Sequence, residues 1–302
     1  MEWGDDLLIK DMTITNNRGD SIVSGRHFFI RDDFAISGLG ANVNMSETTS
    51  DGAHYQSTTL STRDVDVPFY IKKTNTEHWW VEEKRQDIYR VCNPKFNPMR
   101  IDFSTNSGDQ FYVNANLSAA PLFNQGRAND NSRWVSGLLQ FISSDPFIYE
   151  ATSRKVDIAL WESNLEFPLE VVEEGIEIGY RNPSLIVNVV NEGSESSGMS
   201  IRFLALSQVV NPKLLNVNTY EAFNLKYTML AGDVIEVSTY KGKRSITLIR
   251  NNVKSNIFNA LDFMSSTFLQ LEPGDNLLRY DATSGLDFLE VSIEFTPKRI
   301  GV

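Results

Sequence analysis

From residue 185 onward, turn signals interrupt the chain roughly every 8–12 residues, and this spacing limits the possible folds more than any other sequence feature. Leu185-Ile186-Val187-Asn188-Val189-Val190 and residues 199–206, 222–230, 234–237, 245–249 and 289–295 are apolar or alternating runs too short for helices. Between them stand Asn191-Glu192-Gly193, Asn211-Pro212, Ala231-Gly232-Asp233, Lys241-Gly242-Lys243 and Pro273-Gly274-Asp275-Asn276. Glycine supplies the positive φ that such turns need, proline presets φ, and asparagine and aspartate bond back to nearby backbone. Short strands in this rhythm bury one face each against a second layer, which predicts a β-sandwich. Within this half, Ile257, Leu261 and Met264 have a spacing that predicts one short helix over residues 255–268.

A chain of 302 residues is long for one core, so two domains are expected. Composition changes around residues 151–164, which sets domains at 1–155 and 156–302, with the final strand free to return toward the first domain. In the first half, Leu8, Met12 and Ile14 share a parity, and Asp64-Val65-Asp66-Val67-Pro68-Phe69-Tyr70-Ile71 alternates as a strand does. Met99-Arg100-Ile101-Asp102-Phe103 and Gln110-Phe111-Tyr112-Val113-Asn114 flank a polar run and predict a hairpin. Residues 134–142 and 146–149 read as closing strands. One helix is predicted over residues 75–92. Thr74 and Glu77 have capping-box spacing, and Trp80, Ile88, Val91 and Cys92 share a face. Glu82, Glu83 and Arg85 point outward, and Asn93-Pro94 stops the helix. Trp79 and Trp80 cannot both face the core, so one of them is a candidate interface anchor.

Residues 38–52 differ from the rest of this half. They are rich in glycine and threonine, low in charge and almost without large apolar anchors, so they cannot bury much of themselves. An extended hairpin or arm that leaves the domain accounts for them, ordered by a neighbour that completes its backbone pairing.

The formal charge of −11 argues against a nucleic-acid grip, which needs a clustered basic surface. An acid-lined passage would still let DNA slide through. No window approaches the roughly 18 apolar residues of a membrane span. The first six residues carry three acids and no base, the opposite of a secretory leader, so synthesis in a cytoplasm is expected. Cys92 is the sole cysteine, read as a small buried hydrophobe.

No constellation assembles into an active centre. His27, His54 and His78 are scattered and lack a nucleophile elbow or metal-pair spacing. Asp32-Asp33 and Glu173-Glu174 would point to opposite strand faces, and Asp64 with Asp66 reads as a solvated side. Gly38-Leu39-Gly40 is followed by Val43 where a dinucleotide loop needs glycine. Arg18-Gly19-Asp20 reads as a turn and Gly232-Asp233-Val234 as a hairpin turn. Catalytic, cofactor and metal residues are therefore none.

The order Asn211-Pro212, then Leu230-Ala231-Gly232-Asp233-Val234, then Leu271-Glu272-Pro273-Gly274-Asp275-Asn276, then the strand Val291-Ser292-Ile293-Glu294-Phe295 resembles the distal tail protein family (Dit) of long-tailed phages that infect Gram-positive bacteria. The resemblance is strongest over residues 167–302, while the acidic N-terminus and the long turn at residues 192–198 depart from it. It implies a mainly β protein without a cofactor. An N-terminal β-sandwich with one helix and a projecting β-hairpin arm would form a hexameric ring, a homo-hexamer around a DNA channel. A galectin-like or carbohydrate-binding-module-like β-sandwich would follow. The implied place is the virion tail tip, joining the tail tube protein to the tail-associated tip protein, with receptor-binding proteins at the edge and DNA passing without specific binding. The candidate ring-interface residues are Gly38, Leu39, Val43, Met45, Tyr55 and Trp79. The rival is a carbohydrate-binding module or lectin acting in host-surface adsorption. Tyr220, Phe223, Tyr227 and Tyr240, with Asn218 and Asn224, come nearest to such a face, though most alternate as core residues do. A tail-tip hydrolase is a third, weaker reading.

Overall fold

The structure is a computed structural model, and it describes residues 9–302 except 26, 32, 33, 35, 37, 50, 74–77, 127, 131, 132, 160, 164–178 and 182–185. It also leaves out the side chains of residues 78, 79, 159, 161–163 and 179–181. The chain forms two compact units. One comprises Met1–Ala151 with Arg299–Val302, the other Thr152–Lys298.

Strand alternation builds the first unit. In Arg63–Lys72 the residues Val65, Val67, Phe69 and Ile71 are buried, while Asp64 and Asp66 face solvent. This strand pairs along its whole length with Trp134–Ser143, from Lys72 opposite Trp134 to Arg63 opposite Ser143. The expected hairpin is present as Met99–Thr105 and Gln110–Leu117, closed through Gly108 at φ 93°. Ile9–Thr15 pairs with the first of these strands. The strands are joined into one antiparallel sheet, and the apolar sides of its members converge on one core that also receives Ile88 and Cys92 of the helix. Each fully buried Phe, Ile or Val there contributes roughly 1.5–3 kcal/mol by removal from water.

The helix is His78–Val91. The proposed Thr74–Glu77 capping box lies outside the described residues. Val81, Ile88, Val91 and Cys92 are buried and Trp80 is half-buried against the core. Arg85 departs from its expected outward position. It is half-buried, because its guanidinium turns to Asp130 at 3.2 Å and lies over the Phe123 ring.

The last residues are tethered to this unit. Buried Arg63 donates to the carbonyl oxygens of Pro146 (2.6 Å) and Ile300, and Arg299 donates to Glu150 at 2.8 Å. Burial lowers the Arg63 pKa from its ordinary value.

The second unit is a two-layer β-sandwich. One layer runs Arg154–Ala159, Leu289–Phe295, Met199–Ala205, Val234–Ser238, Ser245–Arg250 and Val253–Asn256. The other runs Ile186–Asn191, Gly274–Asp281, Lys213–Asn216 and Ala222–Asn224. Ile201, Phe203, Ile235, Val237, Ile293 and Phe295 from the first layer meet Val189, Leu214, Phe223, Leu278 and Tyr280 from the second in one core. The strand Leu289–Phe295 stays in this unit, pairing with Met199–Ala205.

Three sequence expectations change here. The helix over residues 255–268 is absent, replaced by the end of Val253–Asn256 and a single 3-10 turn at Phe258–Ala260. The Asn256 side chain accepts the Phe258 N–H at 2.8 Å, and Met264 is 95% exposed, so the apolar spacing marks no continuous stripe. The run 222–230 divides into Ala222–Asn224 and Thr228–Met229, and the latter pairs with Val209–Val210. The Gly232-Asp233 turn is not a hairpin turn, because Thr228–Met229 and Val234–Ser238 have different partners. Gly232 takes φ 83°. Buried Asp233 accepts the Leu230 N–H at 2.8 Å and is held by the Arg250 guanidinium, at 2.7 Å from Nε.

Candidate assembly surface

The expected arm is a two-stranded hairpin, Ala41–Glu47 with Ala53–Leu60, whose strands pair only with each other among the described residues. Its base is fastened where the Ser61 backbone N–H and hydroxyl both donate to the Gly40 carbonyl at 2.9 Å. At the tip, Gly52 takes φ 104° and its carbonyl accepts from the Thr48 hydroxyl.

Register gives this ribbon two unlike faces. Opposing residues in an antiparallel pair project to the same side. Ala41 opposes Leu60, Val43 opposes Thr58 and Met45 opposes Tyr55, so one side is mostly apolar. On the other side Asn42 opposes Thr59, Asn44 opposes Ser57 and Ser46 opposes His54. The register shifts between Asn44 and Met45, leaving Gln56 as an extra residue on the second strand. This β-bulge restores Tyr55 to the side of Thr58 and Leu60. The apolar side is open to solvent, with Val43 49%, Met45 61% and Tyr55 65% exposed.

Three of the six candidate residues, Val43, Met45 and Tyr55, therefore share one face. Gly38 and Leu39 lie in the lead-in before the first strand, exposed and half-buried respectively. Trp79 is in the first turn of the helix, and its side chain is outside the described set. Sequence reasoning ended the arm at Gly52 and so missed the second strand to Leu60. The bulge at Gln56 breaks its alternation, which hid the signal.

The remaining motif residues have structural partners. The Asn276 carboxamide accepts the Glu272 N–H at 2.9 Å and donates toward the carbonyls of Glu272, Gly274 and Val189. Asn191 and Asn216 bond in the same way to neighbouring backbone. In Arg18-Gly19-Asp20, the Asn16 side-chain oxygen Oδ1 accepts the N–H groups of Arg18 and Asp20, and the arginine lies over the Phe96 ring at 3.7 Å. Cys92 is wholly buried, and desolvation pushes its thiol up to about 12. His27 packs edge-on against Trp80 at 5.0 Å and His54 is exposed on the hairpin. Asp32, Asp33, Glu173 and Glu174 lie outside the described residues. Among the described residues no group of three metal-ligating side chains occurs, and no helix is long and apolar enough to cross a membrane.

The aromatics considered for a lectin face do not gather on one surface. Phe223 is in the core, Tyr227 is half-buried against it, and Tyr220 is 83% exposed at a turn. Asn218 is committed to the Leu277 N–H and Asn224 to Ser265.

These features define a mainly β, two-unit protein, and its sequence matches two families of phage tail components. Residues 21–143 match the phage tail protein RIFT-related domain, and residues 192–298 match the siphovirus-type tail component, C-terminal domain. The chain belongs to the siphophage distal tail protein family, and is a structural component of the phage tail.

The fold is similar to the crystal structure of the SPP1 Dit (gp 19.1) protein, described as a paradigm of the hub adsorption apparatus in phages infecting Gram-positive bacteria. Identity is 15% and the TM-score 0.65, over 95% of this chain and 98% of that one. A chain of the phage P2 baseplate in its activated conformation with Ca aligns at 12% identity and TM-score 0.49, over 97% of this chain and 100% of that one. No curated protein sequence matches the chain.

Proposed function

We propose that this protein is the hub of a long-tailed phage, a homo-hexameric ring that joins the tail tube protein above to the tail-associated tip protein below. Receptor-binding proteins attach at its edge and DNA passes through its centre. The observation that carries this reading is the amphipathic hairpin 41–60. Its polar side suits water, whereas Val43, Met45, Tyr55 and Leu60 gain only when covered, by roughly 1 kcal/mol or more each. A second copy of the chain is the natural cover, because a head-to-tail contact repeated around an axis closes into a ring and leaves no open end. The net charge of −11 supports passage of DNA without adhesion, since acids repel phosphate. The family's structural role supports a reading without catalysis, and synthesis precedes assembly in the bacterial host cytoplasm.

Negative-stain images of the purified protein test this. Closed six-fold rings are expected for the natural sequence, and single subunits for Met45→Glu combined with Tyr55→Glu. Rings that persist in the double variant would remove the hairpin from the interface. A natural sequence that stays monomeric would remove the ring itself.

A further inference from the structure

Residues 262–267, whose apolar spacing suggested a helix, form a loop fastened to the edge strand Ala222–Asn224. The Asp262 N–H donates to the Asn224 carbonyl at 3.1 Å, and the Thr267 N–H to the Ala222 carbonyl at 2.7 Å. The Asn224 carboxamide donates to the Ser265 carbonyl at 2.7 Å, and the Ser266 hydroxyl to the Asn224 carbonyl at 3.0 Å. The Asp262 carboxylate accepts the Ser265 hydroxyl at 2.8 Å and pairs with Lys226 at 3.0 Å. This fastening presents two large apolar side chains to water, Phe263 at 66% and Met264 at 95% exposure. A side chain as open as Met264 stands clear of its own domain, so the tip is convex. Single exposed apolar residues are ordinary, but a pair on a backbone fixed by side-chain bonds is a preorganised contact.

Positive charge borders this tip. Phe263 packs toward Phe258 with 6.1 Å between ring centroids, and Phe258 stacks on Phe268 at 6.0 Å. The Arg244 guanidinium lies 4.8 Å from the centre of the Phe268 ring. Arg244 ends the exposed turn Lys241-Gly242-Lys243-Arg244. The turn runs beside Phe268, because the Gln270 carboxamide donates to the carbonyls of both Thr239 and Phe268. Among the described residues, Lys241, Lys243 and Arg244 make no ion pair. On the other flank, Lys226 is 68% exposed beside Asp262. In a chain of net charge −11, cations gathered around an apolar tip set this surface apart.

We propose that the tip is a peripheral membrane-docking site, and that its occupant is the surface of a bilayer containing anionic lipids. Phe263 and Met264 enter the boundary between headgroups and acyl chains, where an apolar side chain leaves water without needing a shaped pocket. The lysines and arginine stay at headgroup level, with their stems along the apolar boundary and their charges on lipid phosphates. A convex apolar tip backed by unpaired cations suits a soft, negative surface. A protein partner would instead have to supply a pocket matched to both side chains, with acids around its rim. The contact is with a surface and involves no span. It rests on neither the ring nor the hairpin.

The test is flotation of the full-length protein with vesicles of phosphatidylcholine, alone or mixed with phosphatidylglycerol. The natural sequence is expected to float with the mixed vesicles only, and less so as salt rises. Phe263→Ser with Met264→Ser, and Lys241→Glu with Lys243→Glu, should each weaken that binding about tenfold or more at an unchanged thermal midpoint. Met264→Cys accepts a polarity-sensitive dye while Cys92 stays buried, and its emission should shift to the blue on mixed vesicles. No flotation of the natural sequence with mixed vesicles would overturn the proposal. Undiminished binding by either folded double variant would do the same, as would a dye that stays in water on bound protein. A dye already shifted without vesicles would show that another copy of the chain covers the tip, and would also overturn it.

Discussion

Asn276 accounts for the Pro-Gly-x-Asn signature in terms of hydrogen bonds. The chain reverses at Gly274, where φ is 91°, and this leaves backbone groups under the sandwich that no strand can pair. The Asn276 side chain is 1% exposed and satisfies the Glu272 N–H while donating toward three carbonyls. Asn276→Ala strands these groups in a dry environment, so a loss of about 3 kcal/mol is expected in chemical denaturation of the C-terminal unit. A loss under about 1 kcal/mol would show that water replaces the carboxamide.

Asp233 makes a pH-dependent contribution at the same scale. Its carboxyl lies below the ordinary value, first because of the Arg250 hydrogen bonds and then because of the Leu230 N–H, against an opposing desolvation. A carboxyl whose pKa is lower folded than unfolded stabilises above the unfolded value near about 4, and loses that contribution as pH falls through the folded value. Asp233→Asn should therefore be less stable than the natural sequence at neutral pH, with the gap narrowing below about pH 4. A gap that stays constant with pH would contradict the assignment. Cys92, with its thiol pushed up to about 12, should resist a soluble thiol reagent at neutral pH until the protein is unfolded.

At the scale of elements, the hairpin and the C-terminal tether make opposite use of exposure. The tether at Arg299–Val302 is held by Arg63 and Arg299 through polar contacts on the first unit. Removing residues 299–302 leaves the buried Arg63 guanidinium with one fewer acceptor, which should lower the thermal midpoint of that unit. Among the described residues the two hairpin strands pair only with each other, so their apolar face gains stability only when something covers it.

Sequence legibility followed the regularity of each element. Arg63–Lys72 was readable because Val65, Val67, Phe69 and Ile71 alternate without a break. The second hairpin strand was not, because one extra residue at Gln56 reverses the parity that reveals a buried side. The segment at residues 255–268 misled for a related reason. Three apolar residues fell at helical spacing by chance, while Asn256 and Asp262 fixed local turns through side-chain bonds that periodicity does not register. Val43 and Met45 were legible as members of an arm, but the face they share with Tyr55 became visible only through the register.

At the scale of the whole molecule, the two units have separate cores, and the proposed assembly surface belongs to the first of them. The turn order that identified the family lies in the second unit, while the hairpin proposed to build the ring lies in the first.

The most direct measurement is the solution mass, by light scattering, of the natural sequence beside a chain lacking residues 41–60. The account predicts a mass six times the 34.2 kDa chain for the natural sequence and a folded monomer for the deletion. Equal masses for the two would contradict it.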